Sequence, residues 1–380
     1  MSTNLYSSPF SQLFCRLRTH QWCFMLFSVA LFHILLFGAD LLEEYFLQAI
    51  PTTYMDMKVL RARERARILD MSSMKTNISK AYVLSKAEAC SKHEIFLLVL
   101  IFSSPENLSR RNAIRKTWAN VTDIQGYTTL ALFVLGEPSS ARAQVEVIKE
   151  SEQEQDLIQG IFLDTPENQT LKIKRAIEWT ITYCPQARFI LKVDQDMFAN
   201  LQTLVEYLLN LRTRPEDIYL GRVVHQNVPS GESQNGTFVS VKKYPGRHYP
   251  DHCSATAFVI SQDVARKIYI TSGEVPLSLP PGIFVGVCAR AAGVVPVHSS
   301  RFSGERRIWY NRCCYQYIFT STVSEISQLL QEWREMNSGK DCTFLETYYG
   351  LVSCRIMTYL DGLKASRVNA VQKEALYFSD

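Results

Sequence analysis

Apolar and polar residues alternate along most of this chain in blocks that predict strands followed by helices. The predicted strands are Ile95 to Phe102, Thr129 to Leu135, Ile158 to Leu163, Phe189 to Val193, Ile218 to Val224 and Ala257 to Ile260. Apolar spacing near 3.6 predicts helices over Arg110 to Trp118, Thr170 to Cys184, Leu201 to Leu211 and Gln262 to Thr271. This alternation is typical of an α/β domain with a mainly parallel sheet.

One apolar run near the N-terminus stands apart from these blocks. Trp22 to Ala39 contains eighteen residues without a formal charge, enough for a helix to span most of a bilayer core. Arg16 and Arg18 precede it, whereas Asp40 and Glu44 follow it. The positive-inside rule therefore predicts a cytosolic N-terminus and a lumenal C-terminus. A cleaved signal peptide and a buried core helix are the alternatives.

The segment from Asp40 to about Cys90 is polar and favours helix. Lys58 to Asp70 carries charges of both signs, which is typical of a solvated helix face in a stem. Leu60, Ile68 and Leu69 could instead form a narrow apolar stripe. The alternative is therefore a helix packed on the main domain.

The composition bounds the classes of function that the chain can have. Its 380 residues are 47% hydrophobic and 21% charged, which suits one large folded domain or two ordinary ones and excludes a disordered protein. The formal net charge is only +4, and no dense Lys/Arg stripe is present. We therefore expect no nucleic-acid partner.

Sequons and cysteines support a lumenal placement. Asn-X-Ser/Thr sequons begin at Asn77, Asn107, Asn120, Asn168 and Asn235. Eight cysteines follow the apolar run: Cys90, Cys184, Cys253, Cys288, Cys313, Cys314, Cys342 and Cys354. An even number suits disulfides in an oxidising lumen, although the spacing does not give their connectivity. A zinc site at Cys313 and Cys314 is the alternative, but adjacent thiols lack the usual gap between ligands.

The strongest chemical signal follows the fourth predicted strand. Phe189 to Asn200 reads FILKVDQDMFAN and places Asp194 and Asp196 just past the strand end. Ligands of parallel sheets bind beyond the carboxyl ends of the strands, so these carboxylates could hold a metal and a diphosphate. A solvated turn is the alternative for an isolated Asp-X-Asp.

A basic segment follows the first predicted strand. Ser109 to Trp118, SRRNAIRKTW, places Arg110, Arg111, Arg115 and Lys116 around a helix start, where they could receive phosphate. A solvated basic helix is the alternative. Further segments in order are Phe133 to Gly136 (FVLG), Asp156 to Lys172 (DLIQGIFLDTPENQTLK), Tyr249 to Ser261 (YPDHCSATAFVIS) and Phe284 to Cys288 (FVGVC).

With these ordered motifs, the chain resembles the β-1,3-galactosyltransferase and β-1,3-N-acetylglucosaminyltransferase family, glycosyltransferase family 31, over roughly Ile95 to Trp333. The resemblance implies a type II Golgi membrane protein with a GT-A fold and a mainly parallel sheet. It also implies transfer from a UDP-sugar to the 3-hydroxyl of an acceptor sugar with inversion. The implied organisation is a cytosolic tail (1–21), a transmembrane signal-anchor (22–39), a lumenal stem (40–90), a GT-A domain (91–365) and a C-terminal tail (366–380).

The same resemblance assigns the donor site. The family's Asp-Asp-Asp motif falls on Asp194, Gln195 and Asp196, with Asp196 as ligand of Mn²⁺ or Mg²⁺ and Asp194 against the nucleotide. Such a cation neutralises the charge of the leaving UDP. Arg111, Arg115 and Lys172 would help to bind the UDP part.

The chain departs from the family where the catalytic base is expected. The family's Glu-Asp-Val aligns with Pro281, Gly282 and Ile283, which leaves no carboxylate there. Loss of a positioned base costs about 10² to 10⁴ in rate. Replacement candidates are Glu274, Asp251 and His252, and the alternative for each, ranked above the role of base, is an ordinary exposed residue.

Smaller departures concern the metal and the sugar. Thr322 occupies the place of a late histidine that completes the metal shell in several members, and His298 could substitute for it or serve as a structural histidine. Ala255 and Ala257 stand where the family has the two glycines of a Gly-X-Gly. Each added methyl group narrows the space in which the backbone approaches the ligand.

The leading hypothesis is a Golgi β-1,3-glycosyltransferase that acts on a glycoprotein or glycolipid glycan, with galactose favoured as the donor sugar over N-acetylglucosamine. Association with other Golgi glycosyltransferases is a further expectation. A catalytically silent relative that serves as a lumenal chaperone or binding partner is the main alternative, motivated by Gly282 and Thr322 and opposed by the retained Asp194 and Asp196. Lectin-like glycan recognition ranks below both.

Overall fold

The computed structural model describes residues 9–42, 56–70, 78–91, 94–211, 216–225, 249–303, 312–339, 342–354 and 356. The chain divides into two compact units, residues 1–47 and 48–380. The first contains helix α1 (Pro9–Leu41), whose stretch His20–Gly38 has a mean hydropathy of 1.8. By length and composition this stretch can cross a membrane, as the apolar run predicts.

The second unit is the α/β domain that the alternating pattern predicts. Its strands are β1 (Tyr82–Leu84), β2 (Leu97–Phe102), β3 (Asp123–Ile124), β4 (Tyr127–Glu137), β5 (Leu157–Leu163), β6 (Phe189–Asp194), β7 (Met197–Ala199), β8 (Tyr219–Val224), β9 (His252–Ser261), β10 (Val297–His298) and β11 (Thr320–Thr322). Its helices are α2 (Met57–Arg67), α3 (Leu108–Arg115), α4 (Ala141–Glu154), α5 (Gln169–Tyr183), α6 (Leu201–Leu209), α7 (Gln262–Thr271), α8 (Pro281–Ala291), α9 (Arg312–Tyr315) and α10 (Ile326–Met336). Residues 344–354 form a last helix, α11.

The main sheet has the order β1-β5-β4-β2-β6-β9-β8-β10, and β3 pairs with the first two residues of β4. Strands β5, β4, β2 and β6 run parallel, whereas β9 is antiparallel to both β6 and β8. In β2 all six residues are buried, as expected for a strand covered on both faces. The parallel order brings the carboxyl ends of β2 and β6 side by side, since Phe102 pairs with Asp194.

Helices cover both faces of this sheet. One core layer packs α5, α7 and α8 against the sheet and includes the fully buried Trp179 and Phe284. The other contains residues of α3, α6 and α10 and includes the fully buried Trp118 and Phe198. The sheet therefore forms the middle layer of a three-layer domain.

Helix α2, within the segment expected to be a stem, packs against α7. Asp56 caps its N-terminus by accepting a hydrogen bond from the Lys58 N–H. Val59, Ala62 and Ala66 are buried, and Arg63 forms an ion pair with Asp217. Helix α2 is thus packed on the domain, as in the alternative to a free stem, but the expected apolar stripe is wrong, because Leu60 and Ile68 are exposed. The proposed domain boundaries remain predictions.

Four of the eight cysteines after the apolar run form disulfides in the structure. Cys90 pairs with Cys184, and Cys313 pairs with Cys342. Cys314, the neighbour of Cys313, is buried in the core. In the structure Cys313 therefore forms a disulfide and Cys314 packs in the core, instead of the zinc site that was the alternative.

A small second sheet brings the C-terminal part of the domain to the end of β6. Strand β11 pairs antiparallel with β7, so that Thr322 lies opposite Met197. The Val323 N–H donates to the Asp196 carbonyl oxygen at 2.8 Å. The segment that follows β11 therefore lies against the Asp-X-Asp turn.

Candidate donor-binding site

Asp194 and Asp196 lie at the carboxyl end of β6, at the centre of the main sheet. Their side chains are 37% and 61% exposed. Each contacts one cation through one carboxylate oxygen: Asp194 Oδ1 lies 2.6 Å from Lys192 Nζ, and Asp196 Oδ1 lies 3.5 Å from Arg110 Nη2. Among the described residues, the second oxygen of each carboxylate has no hydrogen-bond partner.

Lys192 holds Asp194 in place from within the strand. Its Nζ also donates to the Ala255 carbonyl oxygen of β9 and lies 4.8 Å from the centre of the Phe102 ring. Its side chain is almost fully buried, and period two along β6 directs Lys192 and Asp194 to the same face. The lysine therefore joins β2, β6 and β9 just behind the carboxylate.

Arg110 connects Asp196 to the C-terminal segment. Its guanidinium donates to the carbonyl oxygens of Gln195, Val323 and Ser324. Burial raises the pKa of Asp196, the nearby Arg110 cation opposes that shift, and the negative charge of Asp194 adds to it. An added cation at this place would relieve the repulsion between the carboxylates.

Gln195, between the two aspartates, makes structural hydrogen bonds. Its Oε1 accepts from the Ser103 hydroxyl at 2.8 Å and from the Ser104 N–H at 3.3 Å. A carboxylate oxygen could accept both bonds equally well. The loss of the middle carboxylate therefore leaves the connection between β6 and the loop after β2 intact.

Arg111 is fully engaged by protein partners. All five of its N–H donors are used, by both oxygens of Glu150, the Ser103 hydroxyl and the carbonyl oxygens of Ser104 and Pro105. Its side chain is 1% exposed. Arg111 thus fixes the loop after β2 that also binds Gln195.

Arg115 extends the same network. It donates to Glu150 at 2.6 Å, to both carboxylate oxygens of Asp156 and to the Asn112 side chain. Although burial raises the pKa of Glu150, the hydrogen bonds and charges of Arg111 and Arg115 bring it below its usual range. Arg111 and Arg115 of the basic helix therefore form a buried ion-pair network with Glu150 and Asp156, and not the solvated basic face that was the alternative.

Lys172 is a second buried lysine behind the site, after Lys192. Its Nζ lies 2.7 Å from the Ser103 carbonyl oxygen and 2.7 Å from Asp164 Oδ2. Burial lowers the pKa of Lys172, whereas the neighbouring Asp164 and Asp194 charges oppose the shift. Arg111 and Lys172 thus both contact Ser103 at the end of β2, one strand from Asp194, and Arg115 is linked to Arg111 through Glu150.

Gly282 lies in the first turn of α8, close to the start of β9. A Cβ atom built on Gly282 would lie 3.1 Å from the Cys253 carbonyl oxygen, 3.3 Å from the Ala255 N and 3.3 Å from His252 Cδ2. A Cβ on Gly286, one turn later, would lie 2.4 Å from His252 Cβ. The two glycines therefore let α8 approach β9 closely, and a larger residue at 282 requires its neighbours to move.

The candidates for the base occupy different places. His252 is buried beside Gly282, whereas Glu274 is exposed after the end of α7. Asp251 Oδ2 lies 3.0 Å from His225 Nδ1, and both side chains are about half exposed. Asp251 and His252 thus lie at the start of β9, near the position of the missing carboxylate.

His298 and Thr322 differ in their relation to the carboxylates. His298 is on β10, three strands from β6 in the sheet order, which corresponds to about 14 Å. Its Nδ1 accepts a hydrogen bond from the Val223 N–H at 3.2 Å. Thr322 lies opposite Met197, and Met197 directly follows Asp196 in the chain. The structure thus brings Thr322, but not His298, next to Asp196.

The sequons fall in different environments. Asn107 and Asn120 are exposed, at the start of α3 and shortly after its end. Asn168 is half-buried, and its Nδ2 donates to the Leu163 carbonyl oxygen at 2.9 Å. Asn77 and Asn235 lie outside the described residues.

The sequence pattern does not assign Lys192 or Ser103 to the site, and it does not separate Arg110 from the other basic residues of its helix. Lys192 had a recognisable signal, because it is a lone charge inside an apolar strand and precedes Asp194 by two residues. The roles of Ser103 and Arg110 depend on contacts between segments that are 85 or more residues apart. Periodicity cannot reveal such contacts.

The carboxylate pair fits a divalent cation. Two partly exposed carboxylates one residue apart, each with an oxygen not held by the described residues, match the preference of Mg²⁺ and similar ions for a few protein oxygens plus phosphate and water. A mainly parallel sheet with this Asp-X-Asp turn at a central strand end matches the GT-A fold that the resemblance implies, and it puts the turn where such sheets bind ligands.

Comparison with known proteins agrees with this class. The family described as Galactosyltransferase matches residues 109–300. Human beta-1,3-galactosyltransferase 9 is 53% identical over 367 residues, which cover 97% of this chain and 99% of that protein. Human lactosylceramide 1,3-N-acetyl-beta-D-glucosaminyltransferase is 32% identical over 304 residues, 78% of this chain and 80% of that protein. The chain belongs to the galactosyltransferase family and is a glycosyltransferase.

Proposed function

We propose that this protein transfers galactose from UDP-galactose to the 3-hydroxyl of an acceptor glycan with inversion, forming a β-1,3 linkage. The observation that carries the proposal is the pair Asp194 and Asp196 at the end of β6, in a chain 53% identical to a human β-1,3-galactosyltransferase along nearly its whole length. That likeness favours galactose over N-acetylglucosamine as the donor sugar.

In the proposed site, Asp194 and Asp196 hold Mn²⁺ or Mg²⁺ together with the UDP diphosphate. The cation would neutralise negative charge as UDP leaves, an effect worth several kcal/mol. Lys192 keeps Asp194 oriented through its 2.6 Å contact, and Arg110 fixes the backbone of the Asp-X-Asp turn. Arg111 and Lys172 act on the UDP side by holding the loop after β2 in position, and Arg115 supports Arg111 through Glu150, which both arginines contact.

We place the protein in the Golgi membrane as a single-pass type II protein with a lumenal transferase domain. The support is the apolar helix near the N-terminus, the basic residues that precede it, and two disulfides in the domain that follows. The acceptor is a glycan on a glycoprotein or glycolipid. Association with other Golgi glycosyltransferases is part of the proposal.

The test is a donor screen with the full-length protein purified in detergent. UDP-galactose, UDP-N-acetylglucosamine and UDP-glucose are each supplied with Mn²⁺ and a panel of acceptor sugars, and NMR spectroscopy gives the linkage of any product. We expect a β-1,3-galactoside, and no product with Asp196→Ala. A different transferred sugar or linkage contradicts the proposal.

The absence of a carboxylate at Gly282 favours a second candidate, a catalytically silent relative that binds UDP and assists another enzyme. This candidate predicts metal-dependent UDP binding without transfer or hydrolysis of any donor in the same screen. Product formation by the wild type, abolished by Asp196→Ala, excludes it.

A further inference from the structure

The proposed transfer requires a group that removes the proton from the acceptor hydroxyl, and this inference rests on that proposed function. At the start of α8, where such a group is expected, Pro281 to Cys288 contain no charged side chain. Helix α8 packs against α2, α5, α7 and β9, and beside Gly282 a Cβ would meet Cys253, Ala255 and His252 at the start of β9. The start of β9 is therefore the segment best placed to supply the base.

His252, the first residue of β9, packs directly against this part of α8. Its Cδ2 lies 3.3 Å from the position of a Cβ at Gly282, and its Cβ lies 2.4 Å from that of a Cβ at Gly286. A larger residue at either position would occupy space beside His252, so glycine at both positions lets the His252 side chain pack against α8. Because Nε2 is bonded to Cδ2, it lies in the immediate surroundings of residue 282.

The protein orients the imidazole of His252. Its Nδ1 lies 2.9 Å from the Pro250 carbonyl oxygen, a partner that can only accept, so Nδ1 carries the proton in the neutral ring. The lone pair is then on Nε2, which makes no hydrogen bond to a described residue. A neutral imidazole with a fixed tautomer and an available Nε2 is the form that a general base needs.

The surroundings favour the neutral ring. Burial lowers the pKa of His252, whereas the Pro250 carbonyl and the Asp251 charge oppose that shift. Asp251 is the charged neighbour on the same segment, and its carboxylate is paired with His225 at the end of β8. From α8, the uncharged Gly282 lies beside the ring and Gly286 lies beside the His252 Cβ.

A chain of contacts links His252 to the carboxylates. Lys192 binds both Asp194 and the Ala255 carbonyl oxygen, and the position of a Cβ at Gly282 lies 3.3 Å from both the Ala255 N and His252 Cδ2. Lys192, Asp194 and α8 also share one face of the sheet, since Ile190 packs in the same core layer as Phe284. His252 is therefore on the same face of the sheet as Asp194.

We propose that His252 is the general base of the transfer reaction. Its Nε2 accepts the proton of the acceptor 3-hydroxyl as the hydroxyl oxygen forms a bond to C1 of the donor sugar. The bond from C1 to the UDP β-phosphate oxygen breaks, and its electron pair leaves with UDP. The imidazolium then releases its proton to water. His252 thus supplies from β9 the proton acceptor that residue 282 of α8 lacks.

The test uses two substitutions in the full-length protein in detergent. His252→Asn keeps a donor for the Pro250 carbonyl but has no Nε2, and His252→Ala leaves space for added imidazole. We expect kcat to fall by about 10² to 10⁴ in both variants, with the Kd for UDP and Mn²⁺ unchanged within about threefold. Imidazole should restore part of the rate of His252→Ala in proportion to the concentration of its neutral form.

His225→Gln is the matched control, because it changes the neighbouring exposed histidine and should leave kcat nearly unchanged. Wild-type transfer that both His252 variants retain would overturn the inference while the proposed function stands. A loss of rate that imidazole does not restore, or a comparable loss in His225→Gln, would also overturn it. No transfer by the wild type at all refutes the proposed function and the role of His252 together.

Discussion

Replacing Arg111 by methionine tests whether this arginine stabilises the domain and has no direct contact with UDP. The change removes five donors from a side chain that is 1% exposed and leaves the Ser104 and Pro105 carbonyl oxygens without their partner. Breaking a buried ion pair costs about 3–5 kcal/mol. Because Glu150 keeps Arg115 at 2.6 Å, we expect the lower end of that range, about 3 kcal/mol.

The assay compares Arg111→Met with Arg110→Met, which changes the adjacent arginine. Thermal unfolding of Arg111→Met should begin at a clearly lower temperature, by roughly 6 °C at about 2 °C per kcal/mol. At a temperature where the variant is folded, its Kd for UDP with Mn²⁺ should stay within about threefold of wild type. Arg110→Met should instead weaken that binding about tenfold or more, since Arg110 fixes the turn that contains Asp196.

The opposite pattern would refute this reasoning. If Arg111→Met unfolds like the wild type but loses UDP affinity, Arg111 reaches the nucleotide and the closed network around Glu150 does not describe the working protein. Arg110→Met is expected to lose some stability too, through its bonds to Val323 and Ser324. The UDP affinity is therefore the measurement that separates the two arginines.

Three further predictions concern the lumenal surface, the packing of α8 and acid stability. Asn107→Gln and Asn120→Gln, at two exposed sequons, should each remove one glycosidase-sensitive gel shift from the cell-made protein, and an unchanged mobility would contradict the lumenal placement. Gly286→Ala should lower the free energy of unfolding by about 1–3 kcal/mol or more, because its Cβ would lie 2.4 Å from His252 Cβ. Gly273→Ala is the control and should change stability little, since the nearest atom to its Cβ is 4.0 Å away. Equal unfolding midpoints of the two variants would contradict the close approach of α8 to β9. Because the pKa of Glu150 is lowered in the folded state, its stabilising effect is present above about pH 4.3 and is lost as the pH falls through the lowered pKa. Glu150→Gln should therefore be less stable than wild type at pH 7, and it should lose less stability than wild type between pH 5 and pH 3. Parallel profiles of stability against pH in the two proteins would contradict this prediction.

The central strands could be predicted from the sequence because they are buried on both faces and read as continuous apolar runs. Phe189 to Val193 was predicted as a strand, and β6 covers Phe189–Asp194. Helix α7 has the bounds Gln262–Thr271 that apolar spacing predicts. Helix α8 was not predicted, since Pro280, Pro281 and Gly282 are typical of a loop. In the structure Pro281 begins the helix, where a missing N–H costs nothing.

The candidate site could be predicted only in part. Asp194 and Asp196 carry a local signal, a carboxylate pair just after an apolar strand. The ion pair of Arg111 with Glu150 has no local signal of this kind, because the two residues are 39 positions apart. The pair forms only when α3 and α4 pack together. For the same reason the sequence could not show whether a basic helix binds phosphate or a buried carboxylate. That distinction needs the packing of distant segments.

The central claim is that the Asp-X-Asp turn holds the donor through a divalent cation, and calorimetry of UDP binding tests it most directly. Wild type, Gln195→Ala and Asp196→Ala are titrated with UDP in the presence of Mn²⁺ and again with a chelator. We predict binding that requires Mn²⁺ in the wild type, a smaller loss in Gln195→Ala and no measurable binding in Asp196→Ala. Equal UDP affinity in wild type and Asp196→Ala with Mn²⁺ would contradict the claim.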